Sequence, residues 1–251
     1  MCHMNKGANH RPQVLILSVG VLISSMLVSS NARSCGVSGV DGASFCSLSE
    51  HKEEERPRWA VTGGGVFTST RLRFTGGLRG DETRDAAFGA IAYFPSAQTT
   101  LQMGLGATLG GTLTMPDRRY DFSPGPSALL GASWRVVDRD VFVLLTSVLS
   151  FSATKTQSPS NSSVGYEAFD LRLGAEIGTT LVKVIRPYIP VRVFGGPVYW
   201  HYLGPAVTGT DIHHYQLGAG AMLQLANRFS LYAEGIPIGE RAVSFGLALT
   251  L

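Results

Sequence analysis

The chain has 251 residues, 16% of them charged and 30 of them glycine, with a formal net charge of +3. Lys6 and Arg11 are the only charges before residue 33, so the remainder carries 3 − 2 = +1 and gives no electrostatic ground for a nucleic-acid partner. The length accommodates one large β domain or two small ones, and the charge content is low for a soluble domain.

Lys6 and Arg11 precede an apolar run from Val14-Leu15-Ile16-Leu17 to Met26-Leu27-Val28, which ends in Ser30-Asn31-Ala32. A basic start, a short apolar run and small residues at its end predict a secretory signal peptide over residues 1–32, cleaved after Ala32. A retained membrane anchor is the alternative. Export places Cys35 and Cys46 in an oxidising compartment, where a disulfide between them is expected, with lipidation of Cys35 as the competing reading. Residues 33–57 are rich in Gly and Ser, then charged from His51 to Arg56, and predict a flexible periplasmic leader with little to bury.

From Arg58 onward, apolar and polar side chains alternate with period two, and no segment keeps a helical period. The candidate strands are Arg58–Thr68, Ala86–Phe94, Thr99–Leu113, Ser127–Val137, Val141–Ala153, Ala168–Thr180, Pro187–Tyr199, His214–Ala226, Phe229–Gly235 and Arg241–Leu251. In the third, Leu101, Met103, Leu105, Ala107, Leu109 and Leu113 are expected on one face. In the sixth, Phe169, Leu171, Leu173 and Ile177 alternate with Asp170, Arg172 and Glu176.

Such alternation fits a half-buried soluble sheet or a membrane barrel, and the connections separate the two. Long polar ones (Ser69–Asp85, Met115–Pro126, Thr154–Glu167, Leu203–His213) alternate with short ones at Pro95-Ser96, Asp138–Asp140, Lys183 and Asn227-Arg228, before a modest last one at Ile236–Glu240. An outer-membrane barrel has this asymmetry and a sandwich has no cause for it. Aromatic residues are expected to form two interfacial girdles. Trp59, Tyr93, Phe94, Trp134, Phe142, Tyr188 and Phe229 lie beside the short turns, and Phe67, Phe151, Tyr166, Phe169, Tyr199, Trp200 and Tyr215 beside the long loops. The expected fold is all-β: a closed antiparallel up-and-down transmembrane β-barrel over residues 58–251, of about ten strands, with eight as the alternative.

The final segments "FSLYAEG" and "AVSFGLALTL" resemble the end of the small outer-membrane β-barrel superfamily that includes outer membrane protein A and the opacity-type proteins. The resemblance covers about residues 58–251 and departs at the terminus, where Leu251 stands in place of the usual Phe. It implies a Gram-negative outer membrane, contact with its lipid and lipopolysaccharide, and delivery by the barrel-assembly machinery.

The alternation turns Arg135, Asp170, Arg172, Glu176, Arg192 and Glu234 toward the lumen, where opposite charges are expected to pair and plug it. Gly104, Gly106, Gly174, Gly218 and Gly220 would instead leave space for a polar pathway. Asp211, His213 and His214, with Asp117 and Asp121 on another outer loop, are the residue types of an omptin-like hydrolytic rim site, without that family's local motifs. No metal or cofactor site is expected, and the reading is a non-enzymatic barrel with a structural or weak small-solute-permeation role. An omptin-type hydrolase and an adhesin-like binder are the alternatives.

Overall fold

Period-two alternation with an aliphatic residue at every second position suits an extended strand whose two faces meet different solvents. A computed structural model describes residues 58–138, 140–158, 162–181, 184–201, 206–226 and 228–251, with the backbone alone at 35–38, 43–46 and 138. The signal peptide and most of the leader lie outside the described residues. Within the leader, β1 (Cys35–Ser38) and β2 (Ala43–Cys46) pair antiparallel with Cys35 opposite Cys46. The thiols lie outside the described residues, and with them the expected disulfide.

The remaining strands are β3 (Trp59–Phe74), β4 (Arg79–Tyr93), β5 (Thr99–Thr114), β6 (Arg119–Phe122), β7 (Gly125–Asp138), β8 (Val141–Gln157), β9 (Ser163–Thr179) and β10 (Ile185–Gly195). They continue with β11 (Val198–Trp200), β12 (Val207–Asp211), β13 (Tyr215–Ala226), β14 (Phe229–Gly239) and β15 (Arg241–Thr250). Ten of them form a ring in the order β3-β4-β5-β7-β8-β9-β10-β13-β14-β15, every neighbour antiparallel. The ring shuts where β15 meets β3, from Arg241 opposite Ser69 to Thr250 opposite Ala60. No strand of the ring has an unpaired edge, which is the condition for backbone to cross hydrocarbon.

The outer wall is aliphatic. Phe169, Leu171, Leu173 and Ile177 are 41–49% exposed, while Arg172 and Glu176 between them are 9% and 1% exposed. Leu101, Met103, Leu105, Leu130, Leu149, Val243, Phe245 and Leu247 extend this exposed belt around the barrel. A soluble sandwich would bury that face; here the charges are inside and the aliphatic residues outside.

Three expectations need correction. Leu113 does not share the face of Leu101 and Leu105 but is fully buried inside. The ladder runs from Ala86 opposite Thr108 to Asp85 opposite Gly110, so Leu109 is an extra residue on β5, and this bulge reverses the facing of everything after it. Secondly, the polar stretches at 69–85 and 154–167 are not loops. They extend β3 and β4, which turn at 75–78, and β8 and β9, whose ladder runs on to Gln157 opposite Ser163. Above the belt the outward face turns polar, and Leu72, Phe74, Tyr120 and Phe122 alternate inward against Arg71, Arg73, Arg119 and Asp121, so the aliphatic outer face that marks the strands below is lost though the ladder continues. Thirdly, the girdles are thinner than expected. Trp59, Trp134, Phe67, Phe169 and Tyr215 do face out, but Phe94, Phe142, Tyr166, Tyr188 and Trp200 are buried within, because closeness to a turn does not fix facing.

The outer end narrows. There β6 bridges β5 and β8, β11 pairs with β9, and β12 joins β11 to β3. The sheet thus closes a second time as an eight-strand collar, β3-β4-β5-β6-β8-β9-β11-β12.

Leu173 lies midway down the belt, so Leu173→Arg should cost about 2–4 kcal/mol, measured by urea unfolding in lipid vesicles. Gly174→Gln, one residue on, should also destabilise, because a Cβ there would stand 2.7 Å from Arg192 Cγ and 2.9 Å from Thr146 Oγ1.

Candidate functional site

The narrowed collar brings inward-facing rings together. Trp200 lies tilted at 45° to Phe74, ring centres 5.6 Å apart, and edge-on at 5.0 Å to Tyr120, while Phe122 meets Tyr166 edge-on at 4.9 Å. Leu72, Leu113, Met115 and Val198 complete this buried cluster. Trp200 Nε1 donates to Thr156 Oγ1 at 2.9 Å, so the one polar edge of the indole is satisfied inside the seal. The outer mouth of the lumen is therefore closed by a hydrophobic plug.

Charges are layered beneath it. Tyr166 donates its hydroxyl to Glu82, and Arg84 binds Glu82 at 2.9 Å and Ser152 Oγ at 2.8 Å. Arg172 pairs with Asp170 and, at 2.9 Å, with Glu240, and its guanidinium lies 4.9 Å from the centre of the Phe194 ring. Gln216 donates to Glu240 at 3.0 Å. Deeper, Arg192 is held between two glutamates, at 3.0 Å from Glu176 and 2.6 Å from Glu234, all three at most 3% exposed. Toward the short-turn end, Phe88, Phe94, Leu144, Met222 and Tyr232 form a second apolar cluster with Ala60, Ala92 and Ala248.

All six residues expected in the lumen face it. Five of them join in two networks, Arg172 with Asp170 in one and Arg192 with Glu176 and Glu234 in the other. Arg135 is buried farther toward the short turns, at 2% exposed. The sequence reading missed Glu82, Arg84 and Glu240, which fell in stretches assigned to loops. The only signal available was the alternation of Glu82 and Arg84 with Asp81 and Thr83, which has no apolar face to orient it.

The inward glycines do not leave a pathway. A Cβ on Gly220 would stand 2.3 Å from the Tyr188 ring, on Gly106 2.8 Å from Ser127 Oγ, and on Gly104 2.8 Å from Ala90 Cβ. Gly218 is crowded by backbone, 2.2 Å from the Gly235 oxygen. Their missing side chains make room for Tyr188, Arg192 and the neighbouring strands rather than for solute.

Nor do the rim carboxylates and histidines converge. Asp211 faces inward from β12 and accepts a hydrogen bond from Thr70 Oγ1 at 2.7 Å. His214 Nδ1 donates to the Phe194 carbonyl at 3.2 Å, and His213 lies edge-on to Tyr215. Asp121 points out of β6 toward Arg119, 3.4 Å away, and β6 stands opposite β12 in the eight-strand collar. Asp117 is exposed in the turn before β6. Among the described residues, no three His, Cys, Asp or Glu side chains are grouped to hold a metal ion.

Asp211 lies above the aliphatic belt. Burial first, then the neighbouring Glu240, pushes its carboxyl up to about 7, and Glu82 and Asp170 add to the effect. With the folded pKa above the unfolded one, its contribution to holding the collar is full below the usual carboxylate range and is lost as pH rises through about 7. Amide exchange of β12, corrected for intrinsic rates, should report easier opening at pH 8 than at pH 5. Asp211→Asn should remove the difference.

No family model matches the chain, and no curated protein matches it. Among solved structures, the outer membrane protease OmpT of Escherichia coli superposes with a TM-score of 0.50 at 11% identity, covering 82% of this chain and 100% of that one. The translocator domain of the autotransporter NalP from Neisseria meningitidis gives 0.43 at 14% identity, over 79% and 90% of the two chains. The outer membrane protein OprG of Pseudomonas aeruginosa gives 0.43 at 9% identity, over 78% and 96%. The shut ten-strand ring, the exposed aliphatic belt and the likeness to the first of these barrels give this chain the fold of an outer-membrane β-barrel.

Proposed function

We propose that the protein is an integral barrel of a Gram-negative outer membrane, exported by its signal peptide, carrying a periplasmic leader and serving a structural or weak small-solute-permeation role. The observation that carries this reading is the double obstruction of the lumen: the Trp200 plug at the outer mouth and the Arg172 and Arg192 networks below it. A ten-strand barrel is narrow enough for side chains to fill, unlike a sixteen-strand porin. The separation of Asp211 from Asp121 across the collar gives the hydrolase reading no support.

The mature chain should fractionate with outer membranes and migrate differently on a gel when unheated; recovery as a soluble periplasmic protein would overturn the proposal. In a planar bilayer the protein should conduct weakly. Replacing Arg172 and Arg192 with Ala should change the current little, because the aromatic plug stays in place, whereas adding Trp200→Ala and Phe74→Ala should raise it. A large, steady current in the unaltered protein would instead identify a porin. Arg192→Ala alone should destabilise by about 3–5 kcal/mol, since it strands Glu176 and Glu234 without their cation.

A further inference from the structure

A two-stranded hairpin is marginal in water by itself and orders only against a larger structure. The β1–β2 hairpin has four ladder pairs, from Cys35 opposite Cys46 to Ser38 opposite Ala43. It is packed against the ring: β1 lies against β3, β5 and β7, and β2 lies against β14. In ring order β5 and β7 are the third and fourth strands and β14 is the ninth, so in a ring of ten they stand in opposite walls. A segment outside the barrel could meet one of these walls and not the other. The hairpin therefore lies between them, across the lumen.

The dimensions allow this. Ten strands about 4.8 Å apart, tilted by about 40°, make a ring about 20 Å across. Sheet layers pack about 10 Å apart, so one further layer fits between opposite walls and fills the space between them. Chain direction gives the end at which it sits. Trp59, the first residue of β3, is the ladder partner of Tyr93, which precedes the short turn at Pro95, so the leader joins the barrel at its short-turn end. Strands β5 and β14 begin at that end and β7 finishes there.

Burial of the last inward row is a separate sign. Ala60, Phe94, Arg186 and Ser230 stand within two residues of strand ends on the short-turn side and face the lumen, yet none is more than 6% exposed. Inward residues at the rim of an open barrel would meet water. Pro95, Ser96 and Gln98 of the nearest turn are themselves exposed and do not fold over that row. The register of the hairpin fits a fixed element as well, since ladder partners such as Cys35 and Cys46 have Cα atoms about 4.5–5.5 Å apart, the span that a disulfide takes.

We propose that the leader supplies a built-in closure of the barrel: its β1–β2 hairpin seats in the short-turn mouth and spans the lumen from the β5–β7 wall to β14. The lumen is then shut at both ends, by the aromatic cluster around Trp200 outside and by the hairpin at the periplasmic mouth. The two closures differ in kind. The outer one is made by strands of the collar itself. The hairpin is held together by four ladder pairs, against ten where β15 meets β3, so it can leave without opening the ring. The outer-membrane reading above enters only in calling that mouth periplasmic.

The test uses the full mature chain in detergent, with a photoreactive benzophenone amino acid in place of Val37 on β1 or of Phe45 on β2. Each should cross-link within its own chain, from position 37 to β5 or β7 and from position 45 to β14, as read by peptide mass. Cross-links only to a second chain, only to the outward face of the wall, or at neither position would overturn the proposal. Ser230→Cys gives an independent readout, the rate at which a bulky hydrophilic maleimide alkylates that residue. Removing residues 33–46 should raise the rate about tenfold or more, because a seated hairpin admits the reagent only through transient opening. Equal rates in the full and shortened chains would overturn the closure. If the shortened chain loses its heat-dependent gel shift, Val37→Pro with Ser44→Pro breaks the hairpin ladder at full chain length, and the same rise in rate is expected of it. Loss of the gel shift in the unaltered chain refutes the barrel reading, whereas a retained shift without the cross-links refutes only the hairpin closure.

Discussion

Closure of the β3–β15 ladder is the interaction on which the rest depends. Backbone amides and carbonyls inside hydrocarbon have no water to bond, so a sheet there must end on itself. Once Arg241–Thr250 is paired with Ala60–Ser69, every side chain either meets lipid or enters one narrow interior. The alternation then has no latitude: the aliphatic set must be the outer one, and all polar side chains of the wall must be accommodated within.

That interior is filled by complementarity of size as much as of charge. Beside the inward-facing Tyr188, Tyr232 and Arg192, their ladder partners on the adjacent strands are Gly220, Gly246 and Gly174, whose missing side chains leave the room these groups occupy. Arg192 is set between Glu176 and Glu234, which repays the several kcal/mol that desolvating a guanidinium costs. Arg172 is satisfied in another way, by Asp170 and Glu240 at its edge and by the Phe194 ring against its face.

Narrowing from ten strands to eight at the outer end changes the character of the interior. With β10, β13, β14 and β15 ended, β11 and β12 span the gap to β3, and the smaller circumference forces Phe74, Tyr120, Phe122, Tyr166 and Trp200 into contact. An aqueous mouth would be expected there in a channel. An apolar plug occupies it instead, attached partly through the three pairs that join β12 to β3.

Within the belt the sequence by itself determined much: the all-β class, ten crossings, and the facing of Leu171 and Leu173 against Arg172 and Glu176, because lipid on one side and a polar lumen on the other impose period two on every strand. The same alternation gives Arg135, Asp170, Arg172, Glu176, Arg192 and Glu234 one common facing. It could not place Leu113, since a single bulged residue at Leu109 inverts parity without any mark in composition. It read the collar strands as loops, since above the belt the outward face is polar and the aliphatic outer stripe that marks the other strands is missing. Which charges meet, which glycines are filled, and that Asp211 and Asp121 stand apart were decided only by the closed ring, because those contacts join residues that alternation can orient but not bring opposite one another.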